Sequence, residues 1–323
     1  MRREPFVHRS SQKLCDKLET YAKTQEPVQL EDAFSCFTTD VITEYAYGID
    51  YKFIDSPGFE NTILNSMNGS RKMFPLLKQF PWMIPLMNSL PENYVMSIMP
   101  AMHAFLACKR DIRNKVEAIR QALGEKAESQ SLDDAAEMTV IEELLKGNLP
   151  KPEKNTYRIG EEAMALIGAG TETTSWTLSV ALFYLLSQPD TLQKLQKELE
   201  RAGGYPDSIP SYSSLEQVSY LSAVIAEALR VGYGVVSRLA RAPHEPLVYS
   251  SMDRYGKPVE YIIPPGTPVG MSSYFVHRDP KIFPSPEEFR PERWLESSGA
   301  RHHKLDGYLL SFSKGSRACA GMK

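Results

Sequence analysis

The chain has 323 residues, 42% hydrophobic and 24% charged, an ordinary globular balance long enough for one large domain or two average ones. The formal net charge of −3 gives no overall attraction to nucleic acid. Four cysteines (Cys15, Cys36, Cys108 and Cys319) lie far apart with no Cys-x-x-Cys pair, which argues against a disulfide scaffold or a zinc site and fits a reducing compartment.

The opening MRREPFVHRS carries basic residues with no apolar core behind them, so no signal peptide is expected. Leu14, Leu18 and Tyr21 then recur at helical spacing, and Leu30 to Tyr47 carries a broad apolar face that stops at Gly48. Pro75, Pro81, Pro85, Pro91 and Pro100 punctuate the Met-, Leu- and Phe-rich stretch from Phe74 to Pro100, so no long helix runs through it. This stretch reads as packed core or as an apolar surface patch. A basic helix is expected from about Met102 to Leu123, followed by a mobile polar loop over 124–157 that carries a short helical piece at VIEELLKG and a turn at NLPKPEKN and does not separate two domains.

The longest predicted helix runs from about Gly160 to Gln188 and stops before Pro189. It is apolar on most sides and therefore expected to be buried. Helices follow over Asp190–Ala202 and Ser213–Arg230, and then the pattern turns to β-branched and aromatic residues between Gly and Pro turns, which predicts a small antiparallel sheet. The fold class is mainly α with a minor antiparallel β-sheet, organised as one domain over 1–323. The best apolar run, Val180 to Leu186, is far short of the roughly 18–20 residues a membrane span needs, so the chain reads as soluble or peripheral. Cys15, Cys36 and Cys108 fall in helical patterns as packing residues, and His302 and His303 read as a solvated pair.

The chemistry concentrates near the end, in FSKGSRACAG. A lone cysteine in a turn is ordinarily structural. Here Phe312, Gly315, Arg317, Cys319 and Gly321 fit Phe-x-x-Gly-x-Arg-x-Cys-x-Gly in register. A metal-bound thiolate needs backbone N–H groups aimed at sulfur, glycines that permit a tight turn and close approach of a flat cofactor, and a nearby cation for cofactor carboxylates. On these residues the stretch resembles the cytochrome P-450 family of haem-thiolate monooxygenases, whose corresponding cysteine binds the haem iron.

Three further motifs fit that resemblance in order. AGTETT, from Ala169 to Thr174, looks like the family's oxygen-binding helix motif. Ala169 and Gly170 are small enough to leave room for a diatomic ligand. Thr173 can bond a carbonyl one turn back, and Glu172 beside it can relay protons. Glu227 and Arg230, three apart in EALR, can share a helix face, and the family's pair closes with an arginine from a Pro-x-Arg segment, here Arg293 of FRPERW. Such a buried triad would hold architecture rather than add stability. In VVSRLARAP the resemblance places Val235, Val236 and Ser237 against a substrate cavity and Arg241 near a haem propionate, and it adds Met164 and Ile167 to that cavity.

The resemblance implies haem b with an axial thiolate and electrons from NADPH through a flavoprotein reductase. It also implies O2 and a small lipophilic metabolite as substrates, no nucleic acid, and the endoplasmic-reticulum surface as the site of work. The Phe74–Pro100 stretch corresponds by order to the family's mobile roof, a substrate entry route touching the membrane. The closest texture is that of fungal microsomal enzymes of secondary metabolism. Arg301, Lys304, Lys314, Arg317 and Lys323 against the single acid Asp306 suggest a basic patch for an acidic electron donor. Relatives are expected to be longer at both ends, with an anchor before and a helix after the cysteine loop, so the isolated chain is expected to bind haem poorly. Two alternatives stand beside this reading: an inactive haem-protein remnant, and a cysteine hydrolase using Cys319 with His302 or His303.

Overall fold

The computed structural model describes residues 4–71, 73–128, 138–203, 209–237 and 240–322. They form two compact units, Met1–Ser179 and Val180–Lys323. Among the described residues no helix is long and apolar enough to cross a membrane.

The first unit is helical. α1 spans Glu4–Thr24 and packs on α2, Leu30–Tyr47. The acids Glu31 and Asp32 sit in the first turn of α2, where they favour the positive end of the helix dipole. It stops at Gly48, whose left-handed φ of 70° lets its N–H close on the Glu44 carbonyl. α2 buries an unusual number of polar groups; its buried serine, threonine and aspartate side chains find partners, whereas the Tyr47 hydroxyl is enclosed without one among the described residues. Thr39 and Thr43 donate back to the Ser35 and Thr39 carbonyls at 2.7 and 2.8 Å. The Asp40 carboxylate accepts the N–H groups of Phe53 and Ile54 at 3.0 and 2.9 Å, capping a short 3-10 turn over Phe53–Asp55.

After α3, Thr62–Arg71, the proline-rich stretch forms three short helices, α4 (Phe74–Gln79), α5 (Met83–Ser89) and α6 (Glu92–Ile98). No long helix runs through, and Leu76, Phe80, Trp82, Ile84, Leu86 and Tyr94 are exposed. α7 spans Pro100–Glu128 and packs on α3 and α6, with Arg110 and Arg113 both reaching Glu92. The 124–157 stretch carries the short helical piece expected at VIEELLKG. It holds the end of α7, a helix α8 (Val140–Lys146) and a 3-10 turn over Lys151–Lys154, while 129–137 lie outside the described residues. α8 begins with a capping box: Thr139 accepts from Glu142 N–H while Glu142 accepts from Thr139 N–H.

α9 spans Thr156–Ser187, and its first three-quarters belong to this unit. Ile159, Ala163, Ile167, Thr171 and Ser175 recur every fourth residue and are buried. The helix is not buried all round, as its apolar composition suggested. Ala165, Ala169, Thr173 and Trp176 form an exposed stripe.

In the second unit, the end of α9 packs with α10 (Pro189–Ala202) and α12 (Ser219–Gly232) around Leu185, Leu195, Tyr220, Val224, Ala228 and Phe289. Tyr184 stacks on Phe289 with ring centroids 4.6 Å apart. The helix expected over Ser213–Arg230 is broken after α11 (Tyr212–Glu216), because Val218 adopts extended backbone. β1 (Leu247–Met252) and β2 (Pro258–Ile263) pair antiparallel from Leu247↔Ile263 to Met252↔Pro258, largely exposed. The sheet is smaller than its texture suggested: Ser273–His277 forms a short helix, α13, and Arg241 pairs with Val269 only as an isolated bridge. Cys36 is buried as a packing residue, but Cys15 is exposed and Cys108 half-buried.

Candidate functional site: a buried ion-pair core beneath the cysteine loop

α12 ends in a buried electrostatic knot. Glu227 and Arg230 share a face one turn apart, both 0% exposed. The Glu227 carboxylate accepts five hydrogen bonds: Nε and Nη2 of Arg230, the N–H of Arg290, Nε of Arg293 and the indole N–H of Trp294, all at 2.8–3.0 Å. The structure thus brings Glu227, Arg230 and Arg293 together. It adds Trp294, which follows Arg293 directly in the sequence and which motif reasoning passed over.

The two guanidinium groups use their remaining N–H donors on carbonyls of an irregular segment. Arg230 donates to Pro286, Glu288 and His277, and Arg293 donates to Pro284 and Ser285. Such a segment has no ladder of its own to satisfy its backbone, so the arginines supply the donors. Burial pulls the Arg293 pKa below its usual value, against the opposing attraction of Glu227.

The cysteine loop sits on this knot. Leu310 N–H donates to His277 Nε2 at 2.9 Å, and Ser311 Oγ donates to the Leu229 carbonyl at 2.9 Å. Ser313 N–H closes on the Leu310 carbonyl and Cys319 N–H on the Phe312 carbonyl, at 2.9 and 2.8 Å. Gly315 adopts φ 79°, a left-handed turn that disfavours a side chain, and nothing lies within 4 Å of the place its Cβ would take. Cys319, Arg317 and Gly321 are exposed, and Phe312 is half-buried. A Cβ on Gly321 would lie 3.7 Å from the Cys319 sulfur. An outward thiol on a tight turn, open space over Gly315 and an exposed guanidinium on the same loop fit a flat, anionic, thiolate-ligated cofactor.

The other sequence-predicted residues fall in three groups. In the second unit, the chain leaves α12 through Tyr233 and Gly234, both at positive φ, and Gly234 lies against Ser311 of the loop. Val235, Val236 and Ser237 follow, exposed, with the Val236 carbonyl held by Ser272 Oγ. Arg241 exchanges backbone bonds with Val269 at 2.8 Å, and its side chain is exposed.

In the first unit, Ala169 and Thr173 lie on the exposed stripe of α9, where Thr173 Oγ1 donates to the Ala169 carbonyl at 2.7 Å. Glu172 is half-buried beside them. The size of Gly170 has a packing reason: a Cβ there would come within 2.6 Å of Ile42 Cγ1 on α2. Met164 and Ile167 are core residues, 6% and 0% exposed, on faces turned away from Ala169 and Thr173.

Thr171 is one of two residues of AGTETT that pattern reading left unused. Thr38 Oγ1 donates to its carbonyl at 2.9 Å, and its hydroxyl meets Thr39 Oγ1 at 3.0 Å. Asn61 completes this buried set by donating to Thr39 Oγ1 at 2.7 Å.

Among the basic residues near the loop, Lys304, Lys314 and Arg317 are exposed, but Arg301 is half-buried against Asp306 at 2.6 Å, and Lys323 lies outside the described residues. His303 also pairs with Asp306, while His302 is half-buried with its Nδ1 enclosed, so the two are not a solvated pair.

The family profile of cytochrome P450 matches residues 1–323. The chain belongs to the cytochrome P450 family. P450 relatives resemble it along nearly its whole length. The monooxygenase tpcC of Cochliobolus heterostrophus is 33% identical over 99% of this chain and 58% of its own length. N-acetyltryptophan 6-hydroxylase ivoC of Emericella nidulans is 36% identical over 98% of this chain and 60% of its own. The monooxygenase TRI4 of Fusarium sporotrichioides is 33% identical over 98% and 58%. The chain therefore spans about three-fifths of the length of these curated P450 relatives.

Proposed function

We propose that this chain serves a haem-thiolate monooxygenase that places one oxygen atom from O2 into a small lipophilic metabolite of fungal secondary metabolism. The observation that carries this reading is the Cys319 loop, with its outward thiol, left-handed Gly315 and two tethers, one to Leu229 of α12 and one to His277 of α13. Cys319 would ligate the iron of haem b as thiolate, and Arg317 and Arg241 would meet its propionates. When bound, the haem supplies activation of O2, with electrons from NADPH through a flavoprotein reductase.

The chain's own residues position and protonate. Thr173 Oγ1, held on the Ala169 carbonyl, can release that bond and donate outward from the exposed stripe of α9. Glu172 next to it resupplies the proton. Val235, Val236 and Ser237 offer an apolar wall with one hydroxyl, suited to a lipophilic substrate. The exposed apolar side chains of α4 to α6, Trp82 and Leu86 among them, suit contact with the endoplasmic-reticulum surface and substrate entry from it. Lys304 and Lys314 offer an exposed cationic surface for an acidic reductase. Residues 1–323 serve together as one haem-thiolate domain.

The test is a reduced carbon-monoxide difference spectrum of the chain after haem is supplied. A red-shifted Soret band, even of small amplitude, that disappears in Cys319→Ala is expected. A band unchanged in that variant would remove Cys319 from the ligand role, and alkylation-sensitive hydrolysis without any haem spectrum would favour a cysteine hydrolase.

A further inference from the structure

His277 is 0% exposed, and both of its ring nitrogens are engaged. Nε2 accepts the Leu310 N–H at 2.9 Å, so it carries no proton. Nδ1 then holds the ring proton and donates to the Arg230 carbonyl at 3.1 Å. The backbone of His277 is fixed in turn, because Arg230 Nη1 donates to its carbonyl at 2.9 Å. Phe283 meets the ring edge-on at 6.3 Å and Tyr233 stacks on it at 6.4 Å. The ring therefore has one orientation and one tautomer.

It also stands at a junction. On one side is the helix end that carries the Glu227–Arg230–Arg293 knot. On the other is Leu310, whose carbonyl accepts Ser313 N–H as the chain turns toward the loop that Phe312 and Cys319 close.

We propose that His277 is a positioning residue that carries the order of the buried ion-pair knot to the Cys319 loop through Leu310. The consequence for haem rests on the haem-thiolate reading above, whereas the link itself does not. Neutral imidazole suits this task because it donates on one nitrogen and accepts on the other at fixed separation. Burial favours that neutral form, pulling the His277 pKa down to about 4.

Two neutral replacements separate a positioning role from mere support. Glutamine places its amide oxygen near the position of Nε2 and can still accept the Leu310 N–H. Asparagine reaches only the position of Nδ1 and leaves Leu310 N–H without an acceptor. Both remove the ring and so cost similar packing.

The experiment is peptide-resolved hydrogen–deuterium exchange on the full chain without haem, comparing wild type, His277→Gln and His277→Asn. The Leu310 and Cys319 amides are expected to exchange about tenfold faster in the asparagine variant, the effect of one lost buried hydrogen bond, and to stay near wild type in the glutamine variant. Amides of Ala223 to Ala226 in α12 report whether the unit remains folded. If His277→Asn loses protection there as well, the Gln variant decides the matter alone, with retained loop protection supporting the link. Equal protection of the loop in both variants, or equal loss in both, overturns the proposal.

A second readout on haem-loaded chain is the share of the red-shifted carbon-monoxide band, expected to fall in the asparagine variant only. Absence of that band in every variant counts against the haem reading and leaves the exchange result standing.

Discussion

Replacing Glu227 by glutamine removes one negative charge while keeping side-chain volume. In the native chain the carboxylate accepts from five donors, three on Oε1 and two on Oε2. The amide oxygen of glutamine can keep the Oε1 set of Arg230 Nη2, Arg290 N–H and Arg293 Nε. The amide NH2 then points at Arg230 Nε and Trp294 Nε1, donor against donor. Each buried donor left unsatisfied costs about 1–3 kcal/mol. Two guanidinium groups also lose their counter-charge in a site from which water is excluded, and breaking a buried pair costs about 3–5 kcal/mol. These contributions overlap, and the expected loss is about 4 kcal/mol, a large part of the roughly 5–15 kcal/mol that holds a folded domain. Urea unfolding followed by far-UV circular dichroism reads this as a lower midpoint at unchanged slope. Glu288→Gln, at an exposed carboxylate, is the control, with an expected change within about 0.5 kcal/mol. A loss below about 1 kcal/mol for Glu227→Gln would refute the view that this carboxylate organises the knot.

The remaining predictions concern pH and packing. The His277 pKa falls from 6.5 to about 4 on folding through burial, with the Arg230 carbonyl and Glu227 favouring the charge, the Arg230 guanidinium opposing it and the Tyr233 ring stacked beside it. The contribution is whole above pH 6.5 and is lost as pH falls toward 4, by up to about 3 kcal/mol. Urea midpoints of the second unit should show this slope, and His277→Gln should abolish it. Asp40 behaves oppositely, because burial raises its pKa from 3.8 to about 6 despite the Phe53 and Ile54 N–H groups, with Asp50 adding to the rise and Lys13 opposing it. Its contribution is present below pH 3.8 and lost as pH rises through 6, by about 3 kcal/mol, and Asp40→Asn should flatten that slope in the first unit. Gly170→Ala should destabilise the first unit by about 1–3 kcal/mol through the clash with Ile42, and Ile42→Ala in the same chain should recover part of the loss in thermal unfolding.

Local contacts leave a trace in the sequence, and distant ones do not. Gly315, Arg317 and Cys319 could be read together because one tight turn holds them, and turn chemistry is written in adjacent residues. Glu227 and Arg230 could be read as a pair because a helix puts residues three apart on one face. His277 could not be found this way. Its partners, Arg230 and Leu310, lie 47 and 33 residues away, and a lone histidine before Arg278 carries no local signal. Thr38, Thr39 and Asn61 are likewise ordinary helix and turn residues until the fold sets the threonines against Thr171.

The sequence by itself determined the long helices and the stop at Gly48, the proline-broken stretch and the residue set of the cysteine turn, because propensity, periodicity and capping act over a few residues. Only the tertiary structure decided which face of α9 is covered, that Met164 and Ile167 belong to the core, and that a histidine joins the buried arginines to the loop. Those outcomes depend on which surfaces exclude water and which distant backbone groups need partners, and neither is fixed until the chain has packed.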